Sequence, residues 1–390
     1  MRRSLALLHH ALGAIVRRRG RNAAITVGLA AVVALFSSTL FLSEALRAEY
    51  RALAAGMPDL TVQRLVAGRP ALIAIDEVAA IDALALPGVR TVRPRVWGYL
   101  YVAPIEGNVV VVSIEGAAID ADLIEGALPV AGDEIAIGAT IARSLGARPG
   151  DELALAGSAG AEPAVLRIAG IVDPGTALLS GDLVLTTDAR ARSLLGVPEG
   201  QATDLAIALA RPEESAVVTA AIAESLPGAR VLDRLLLERT YELTFDARAG
   251  FLGAVLVPAL LALLLLAWDR LTGLGESERR EIGVLKATGW STGDVLAARM
   301  WESGIVGAIG AALGIVLGYV HAFVLGAPGI SGALFGWSAL HAELSLAPAV
   351  DGAQVLAILG AIVIPFVAVS VVPAWRAAML DPDRLLRGGP

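Results

Sequence analysis

Ser277-Glu278-Arg279-Arg280-Glu281-Ile282-Gly283-Val284-Leu285-Lys286-Ala287-Thr288-Gly289-Trp290 lies between two charge-free apolar stretches, Ala249 to Trp268 and Ser303 to Pro328. Each stretch reaches the roughly 20 residues that a ~30 Å hydrocarbon core demands of a helix. A highly charged dozen residues of helix-forming composition in a short loop between two spans predicts a small helix at the membrane surface that a partner grips. On a helical wheel Ile282 and Leu285 share one side, while Gly283 and Ala287 form a small-residue strip opposite, flanked by Arg279 and Lys286. The apolar side is expected against the protein's own membrane-proximal helices and the small, cationic side in a partner's cleft.

Working outward, two further stretches carry no Asp, Glu, Lys or Arg, Ala23 to Ser43 and Gly352 to Trp375. The sequence therefore predicts four transmembrane helices, at 23–43, 249–268, 301–328 and 352–375. The first is longer than the apolar core of a signal peptide, so it reads as a retained anchor. Mean hydropathy is +0.69 with 18% charged residues over 390, a balance that demands a polar domain beside the spans. Arg2, Arg3, Arg17, Arg18, Arg19 and Arg21 precede the first span; Arg270, Arg279, Arg280, Lys286 and Arg299 lie between the second and third; Arg376, Arg384 and Arg387 follow the fourth. The loop at 329–351 has neither Lys nor Arg. Basic loops stay cytoplasmic, so both termini (1–22 and 376–390) and the loop at 269–300 are expected on the cytoplasmic side of a membrane, with 44–248 outside. Leu5, Leu8, Leu12 and Ile15 recur at helical spacing, which predicts an amphipathic helix lying on the inner surface. Gly307, Gly310, Gly314 and Gly318 line one side of the third span, where small residues let a second helix approach closely, within the membrane or across a dimer.

Residues 44–248 read as alternating strands and helices, an α+β domain. Strand-like runs fall at 61–65, 89–102, 108–114, 134–137, 152–155, 165–172, 183–186 and 205–209, and helical patterns at 75–84, 140–145, 188–195 and 213–226. Leu86-Pro87-Gly88-Val89-Arg90 and Leu226-Pro227-Gly228-Ala229-Arg230 each close a helix and lead into a strand. That echo predicts two related αβ units in a ferredoxin-like layer. Between them the Gly-Asp turns of 122–167 predict a β-rich insert.

Chemistry of its own is hard to find in this chain. A P-loop needs a lysine directly after glycine, and the single lysine, Lys286, follows Leu285. There is no cysteine, and the four histidines, His9, His10, His321 and His341, are scattered; no metal-ligand spacing or nucleophile elbow occurs. The net charge of −7, with arginines gathered at membrane edges, points to membrane lipids and away from nucleic acid. The spans lack the ionisable groups of a self-sufficient transporter, so energy must arrive from a partner.

Arg280-Glu281-Ile282-Gly283-Val284-Leu285-Lys286-Ala287-Thr288-Gly289 is similar to the coupling segment of the FtsX/MacB-type permeases of ABC transporters, the class that includes the LolC and LolE extractors. Arg19-Gly20-Arg21 through Gly28 resembles that family's entry to the first span, Gly132-Asp133-Glu134 through Leu153 its periplasmic insert, and Pro373-Ala374-Trp375-Arg376-Ala377-Ala378-Met379-Leu380-Asp381-Pro382 its exit from the last. The resemblance implies a non-catalytic permease subunit with no cofactor of its own. It implies a separate nucleotide-binding ATPase that holds Mg-ATP, a second permease copy or paralogue, and a periplasmic adaptor or lipoprotein carrier. The segment Glu278, Arg279, Arg280, Glu281, Ile282, Gly283, Val284, Leu285, Lys286 and Gly289 would dock on the ATPase and pass movement to the outer domain, for export or extraction of a lipoprotein, lipid, peptide or small molecule. The alternative within the resemblance is an FtsX-like scaffold whose outer domain activates a cell-wall hydrolase.

Overall fold

Helix α1 covers Arg2–Arg17, and α2 runs unbroken over Arg19–Ala55. At 1.5 Å per residue α2 is about 55 Å long, well beyond a hydrocarbon core of ~30 Å. After a basic head, Arg19 and Arg21, it carries no charged residue through Ser43; Glu44, Arg47, Glu49 and Arg51 appear only in its last third. The computed structural model describes residues 2–84, 86–115, 121–156, 163–240, 276–331 and 346–379, with 243, 250, 257 and 261. The chain divides into two units, one of Met1–Ala45, Ala247–Leu334 and Pro348–Pro390, the other of Leu46–Asp246 with Phe335–Ala347.

Among the described residues the second unit is built on two large sheets and a short antiparallel pair, Ile73–Ala74 with Gln201–Ala202. In chain order its elements are β1 (Leu60–Val66), β2 (Arg69–Ala71), β3 (Ile73–Ala74), α3 (Asp76–Ala83), β4 (Val89–Arg95), β5 (Trp97–Val102) and β6 (Gly107–Ser113). There follow β7 (Asp122–Gly126), β8 (Glu134–Gly138), α4 (Ala139–Leu145), β9 (Glu152–Leu155), β10 (Ala164–Asp173), α5 (Ala177–Ser180) and β11 (Leu183–Thr186). The last are α6 (Asp188–Leu195), β12 (Gln201–Ala202), β13 (Asp204–Leu209), α7 (Ser215–Ser225) and β14 (Ala229–Asp233). The first sheet has the order β14-β1-β13-β4, with β2 added on β1. All its pairings are antiparallel, Leu60 standing opposite Ile207 on one side and Asp233 on the other. Alternating residues of β1 and β13 turn inward, and Leu60, Val62, Leu205 and Ile207 pack with Ile81 of α3 and Val218 and Ile222 of α7. The echoed turns before β4 and β14 place Gly88 and Gly228 at φ +94° and +85°, the left-handed region that glycine enters without cost from a Cβ.

The second sheet has the order β5-β6-β11-β8-β10-β7, with β9 on β10. Two of its pairings, β10 with β8 and β11 with β6, are parallel. Its central strands β8 and β11 are buried along their whole length, as the apolar runs Ile135-Ala136-Ile137 and Leu183-Val184-Leu185 favour. Ile135, Ile137, Leu166 and Ile168 pack there with Ile141 of α4 and Leu194 of α6. The sheet reaches beyond the insert expected at 122–167, because β5, β6 and β11 join it. The run expected as one strand over 89–102 is in fact two, one in each sheet, parted at Val96. Thr203 fixes that crossing, accepting from the Trp97 amide at 3.1 Å and donating to the Trp97 carbonyl at 2.7 Å. Asp204, fully buried, accepts both nitrogens of the Arg95 fork at 2.7 and 2.8 Å and the Trp97 indole at 2.9 Å. A buried carboxylate with three charge-assisted or neutral donors is fully satisfied.

The first unit is helical. After α1 and the apolar part of α2 come α8 (Glu276–Ala287), α9 (Thr292–Tyr319, continued by a wide turn at Val320–Val324) and α10 (Gly352–Ala378). Ser291 and Asp294 start α9 with a reciprocal capping box. Among the described residues three helices are long and apolar enough to cross a membrane, Arg19–Ala55, Thr292–Val324 and Gly352–Val371; the span expected at 249–268 lies outside the described residues except at 250, 257 and 261. Leu29, Val33 and Phe41 of α2 meet Ala311 of α9 and Ile358 and Ile362 of α10 in a common core.

Candidate functional site

Helix α8 carries most of the candidate segment, and its environment divides the segment into two faces. Ile282 is 2% exposed, while Val284 is 53% exposed. Gly283 is buried with Ile282; Arg280, Ala287, Thr288 and Gly289 are exposed, and Leu285 and Lys286 are half-buried. The wheel set Gly283 on the partner-facing strip, and the structure corrects this: Gly283 turns inward. Glycine has no side chain to reveal a helix face, so the neighbours of a small position decide its direction. Glu278 and Arg279 lie in α8, but their side chains are outside the described set.

Glu281 also faces inward. Its two oxygens accept from Arg17 and Arg18 at 2.5 Å each, and His10 Nε2 lies 3.7 Å away. Arg18 reaches on to Glu302 of α9 at 3.0 Å, where Arg299 also binds at 2.8 Å and Arg21 stands at 3.8 Å. Burial alone would raise the Glu281 carboxyl, but Arg18, then Arg17 and Arg299, hold it below the usual carboxylate range. The His10 ring is pushed down, by burial first and then by the arginines, against the pull of Glu281. It packs tilted at 58° against Trp290, the residue that closes the segment, with ring centres 5.1 Å apart. Two carboxylates thus share four arginines, and the network joins α1, the head of α2, α8 and α9. Sequence reasoning singled out Glu281 but missed this use of it, and it missed Glu302 altogether. The signal for Glu302 was there, a lone carboxylate at the edge of an apolar span in a chain with a basic run at 17–21.

The glycine row on α9 is filled by the same chain. A Cβ at Gly314 would stand 2.5 Å from Val33 Cβ and 2.8 Å from the Ala30 carbonyl oxygen; one at Gly318 would stand 2.7 Å from the Ala34 carbonyl oxygen. At Gly310 the near neighbour is Leu29 at 3.0 Å, and at Gly307 it is Phe366 of α10 at 2.9 Å. These four glycines therefore let α2 and α10 approach α9 closely, which places the close approach inside one chain. Among the described residues no three His, Cys, Asp or Glu side chains gather as a metal site.

Residues 250–382 match the FtsX-like permease C-terminal family. Residues 23–225, more than half of the chain, match the MacB-like periplasmic core domain. No curated protein matches the chain. Among solved structures, the extracellular domain of the noncanonic ABC-type transporter YknZ from Gram-positive bacteria is similar at 10% identity, covering 45% of this chain and 99% of that one, with a TM-score of 0.32.

Proposed function

Because the chain belongs to the FtsX/MacB-type permeases of ABC transporters, we propose that it is a permease subunit whose exposed face of α8 docks on a separate ATPase subunit. The observation that carries this reading is the division of α8: Glu281 and Ile282 fasten the helix to its own chain, and Arg280, Val284, Ala287 and Gly289 are left outside. A helix anchored on one face transmits a push on the other, whereas a loosely held loop would absorb it. Val284 offers the apolar anchor, with Arg280 beside it, that a partner cleft can desolvate.

On this reading the arginine-rich ends and α8 are cytoplasmic, and the β-rich unit is outside the membrane, with the order β14-β1-β13-β4 and two crossover helices read as a ferredoxin-like layer. The last third of α2 forms one stalk. The second span, expected at 249–268, and the segment from Leu232 to Arg248 would complete the path, and a second permease copy or paralogue would complete the transporter. ATP binding would close the ATPase pair around α8 and move the outer unit, exporting or extracting a substrate. We favour this over a scaffold that activates a cell-wall hydrolase because the β-rich insert at 122–167 resembles a MacB-type domain.

The test is ATPase stimulation by the reconstituted permease. Val284→Asp would bury an unpaired charge in the docked complex, which costs enough to remove at least nine-tenths of the stimulation. Stimulation unchanged by that substitution would remove the docking face.

A further inference from the structure

Where α1 meets α2, two exposed apolar surfaces end on either side of a run of arginines. On α1, Leu5, Leu12 and Val16 are all exposed and, seven and then four residues apart, share one side of the helix. Ala11 and Ala14, turned away from that side, are buried beside Ile282 of α8 and Ala298 of α9. On α2, Arg19, Ala23 and Val27 follow at four-residue intervals and are exposed as well. Val16 and Val27 are 70% and 68% exposed. Surface of this kind on a chain with membrane-spanning helices is covered by acyl chains.

Arg19 is set apart from the arginines around it. Arg17 and Arg18 hold Glu281 at 2.5 Å each, and Arg18 reaches on to Glu302, beside which Arg21 stands. Arg19 has no carboxylate partner among the described residues. A Cβ at the next residue, Gly20, would meet nothing within 4 Å, so the space beside Arg19 is open. At 1.5 Å per residue Val27 lies about 12 Å along α2 from Arg19, deeper than the roughly 5–8 Å of a headgroup layer. A guanidinium at the level of the phosphates and apolar side chains below it call for an occupant with an anion and a long apolar body. A phospholipid of net negative charge has both, whereas a soluble anion would leave Val16 and Val27 in water.

We propose that the junction of α1 and α2 binds an anionic phospholipid of the adjoining leaflet, with its phosphate on Arg19 and its acyl chains along Val16 and Val27, and that this lipid pins α1 and so steadies α8. The link is mechanical, because Arg17 closes α1 and Arg18 follows it, and these two side chains hold Glu281. The site rests on the junction alone and not on what docks on the far face of α8.

The test uses the full-length chain in phosphatidylcholine nanodiscs. Traces of phosphatidylglycerol or phosphatidylcholine with a diazirine in one acyl chain are photolysed in separate samples, and labelled residues are located by mass spectrometry. Phosphatidylglycerol is expected to label residues 12–27 about fivefold more than phosphatidylcholine does, the worth of one arginine at an anionic surface. Leu356 and Ile364, exposed positions of α10, are expected to take both labels equally. Arg19→Gln is expected to bring the two lipids to within twofold of each other at 12–27, and Arg19→Lys to keep most of the preference. Amide exchange of α8 is expected to be at least threefold slower when phosphatidylglycerol makes up about a third of the lipid, and to lose that difference in Arg19→Gln. Equal labelling of 12–27 by the two lipids, a preference that survives in Arg19→Gln, or α8 exchange that ignores the lipid in the native chain overturns the proposal. A preference abolished by excess inorganic phosphate overturns the lipid as occupant in favour of a soluble anion.

Discussion

The two units bury acidic side chains in opposite ways. Asp204, in the β-rich unit, has no exposure and a closed set of partners, Arg95 twice and Trp97 once. Glu281 and Glu302, in the helical unit, divide Arg17, Arg18, Arg21 and Arg299 between them, and Glu281 remains 27% exposed. A closed set has one solution and fixes geometry. A shared set has several of similar energy, because an arginine released by one carboxylate can move to the next. The first arrangement suits the crossing between two sheets, and the second holds α8 to α1 and α9 by contacts that can be exchanged.

Removing the closed partner should have the largest effect. Asp204→Ala removes a fully buried carboxylate and leaves Arg95, itself 20% exposed, without its counter-charge and the Trp97 indole without its acceptor, and a loss of about 3 kcal/mol is expected, read as a steep fall in the melting temperature of the full chain. A loss under 1 kcal/mol would show that Arg95 finds other partners and that the site is not closed.

Asp182 provides a third case, burial without an arginine. Its Oδ1 is buried and unpartnered, and burial pushes its carboxyl up to about 6 from 3.8. A raised carboxylate pKa stabilises the fold below the unfolded value and ceases to do so as pH rises through the folded value. The native chain should therefore lose up to about 3 kcal/mol between pH 4 and pH 7 relative to Asp182→Asn. Melting curves of the two chains over that range check it, and parallel curves would contradict it.

The shared network should yield less. Glu302→Gln is expected to cost about 1–2 kcal/mol, because Arg18 keeps Glu281 as a partner. Glu281→Gln is expected to cost less than about 1 kcal/mol, given its partial exposure to solvent, yet to reduce ATPase stimulation by allowing α8 to swing. If Glu281→Gln proves as costly as Asp204→Ala, the network is closed too and the comparison fails.

Much of this architecture is legible in local sequence. The strands at 134–137, 152–155 and 183–186 and the helix at 188–195 fall where apolar runs and alternation put them, since those patterns record burial directly. The Leu-Pro-Gly echo also located two equivalent turns. What local sequence does not record is pairing. Nothing in Trp97–Val102 tells that it leaves the sheet of Val89–Arg95, because the reason is Thr203 and Asp204, more than a hundred residues on. The segment at 277–290 was legible as a helix, but its inner face was not. Glu281 turns inward for arginines at the far end of the chain, and Gly283 carried no side chain to mark its direction.

The central claim, that α8 is fastened on one face and docks with the other, is tested most directly by photo-crosslinking in native membranes. One photoreactive residue replaces Val284 and, in a second chain, another replaces Ile282. The account predicts capture of an ATPase subunit from Val284, with Ile282 giving only links within the chain. Capture from Ile282 at equal yield, or none from Val284 in a folded and inserted chain, would contradict it.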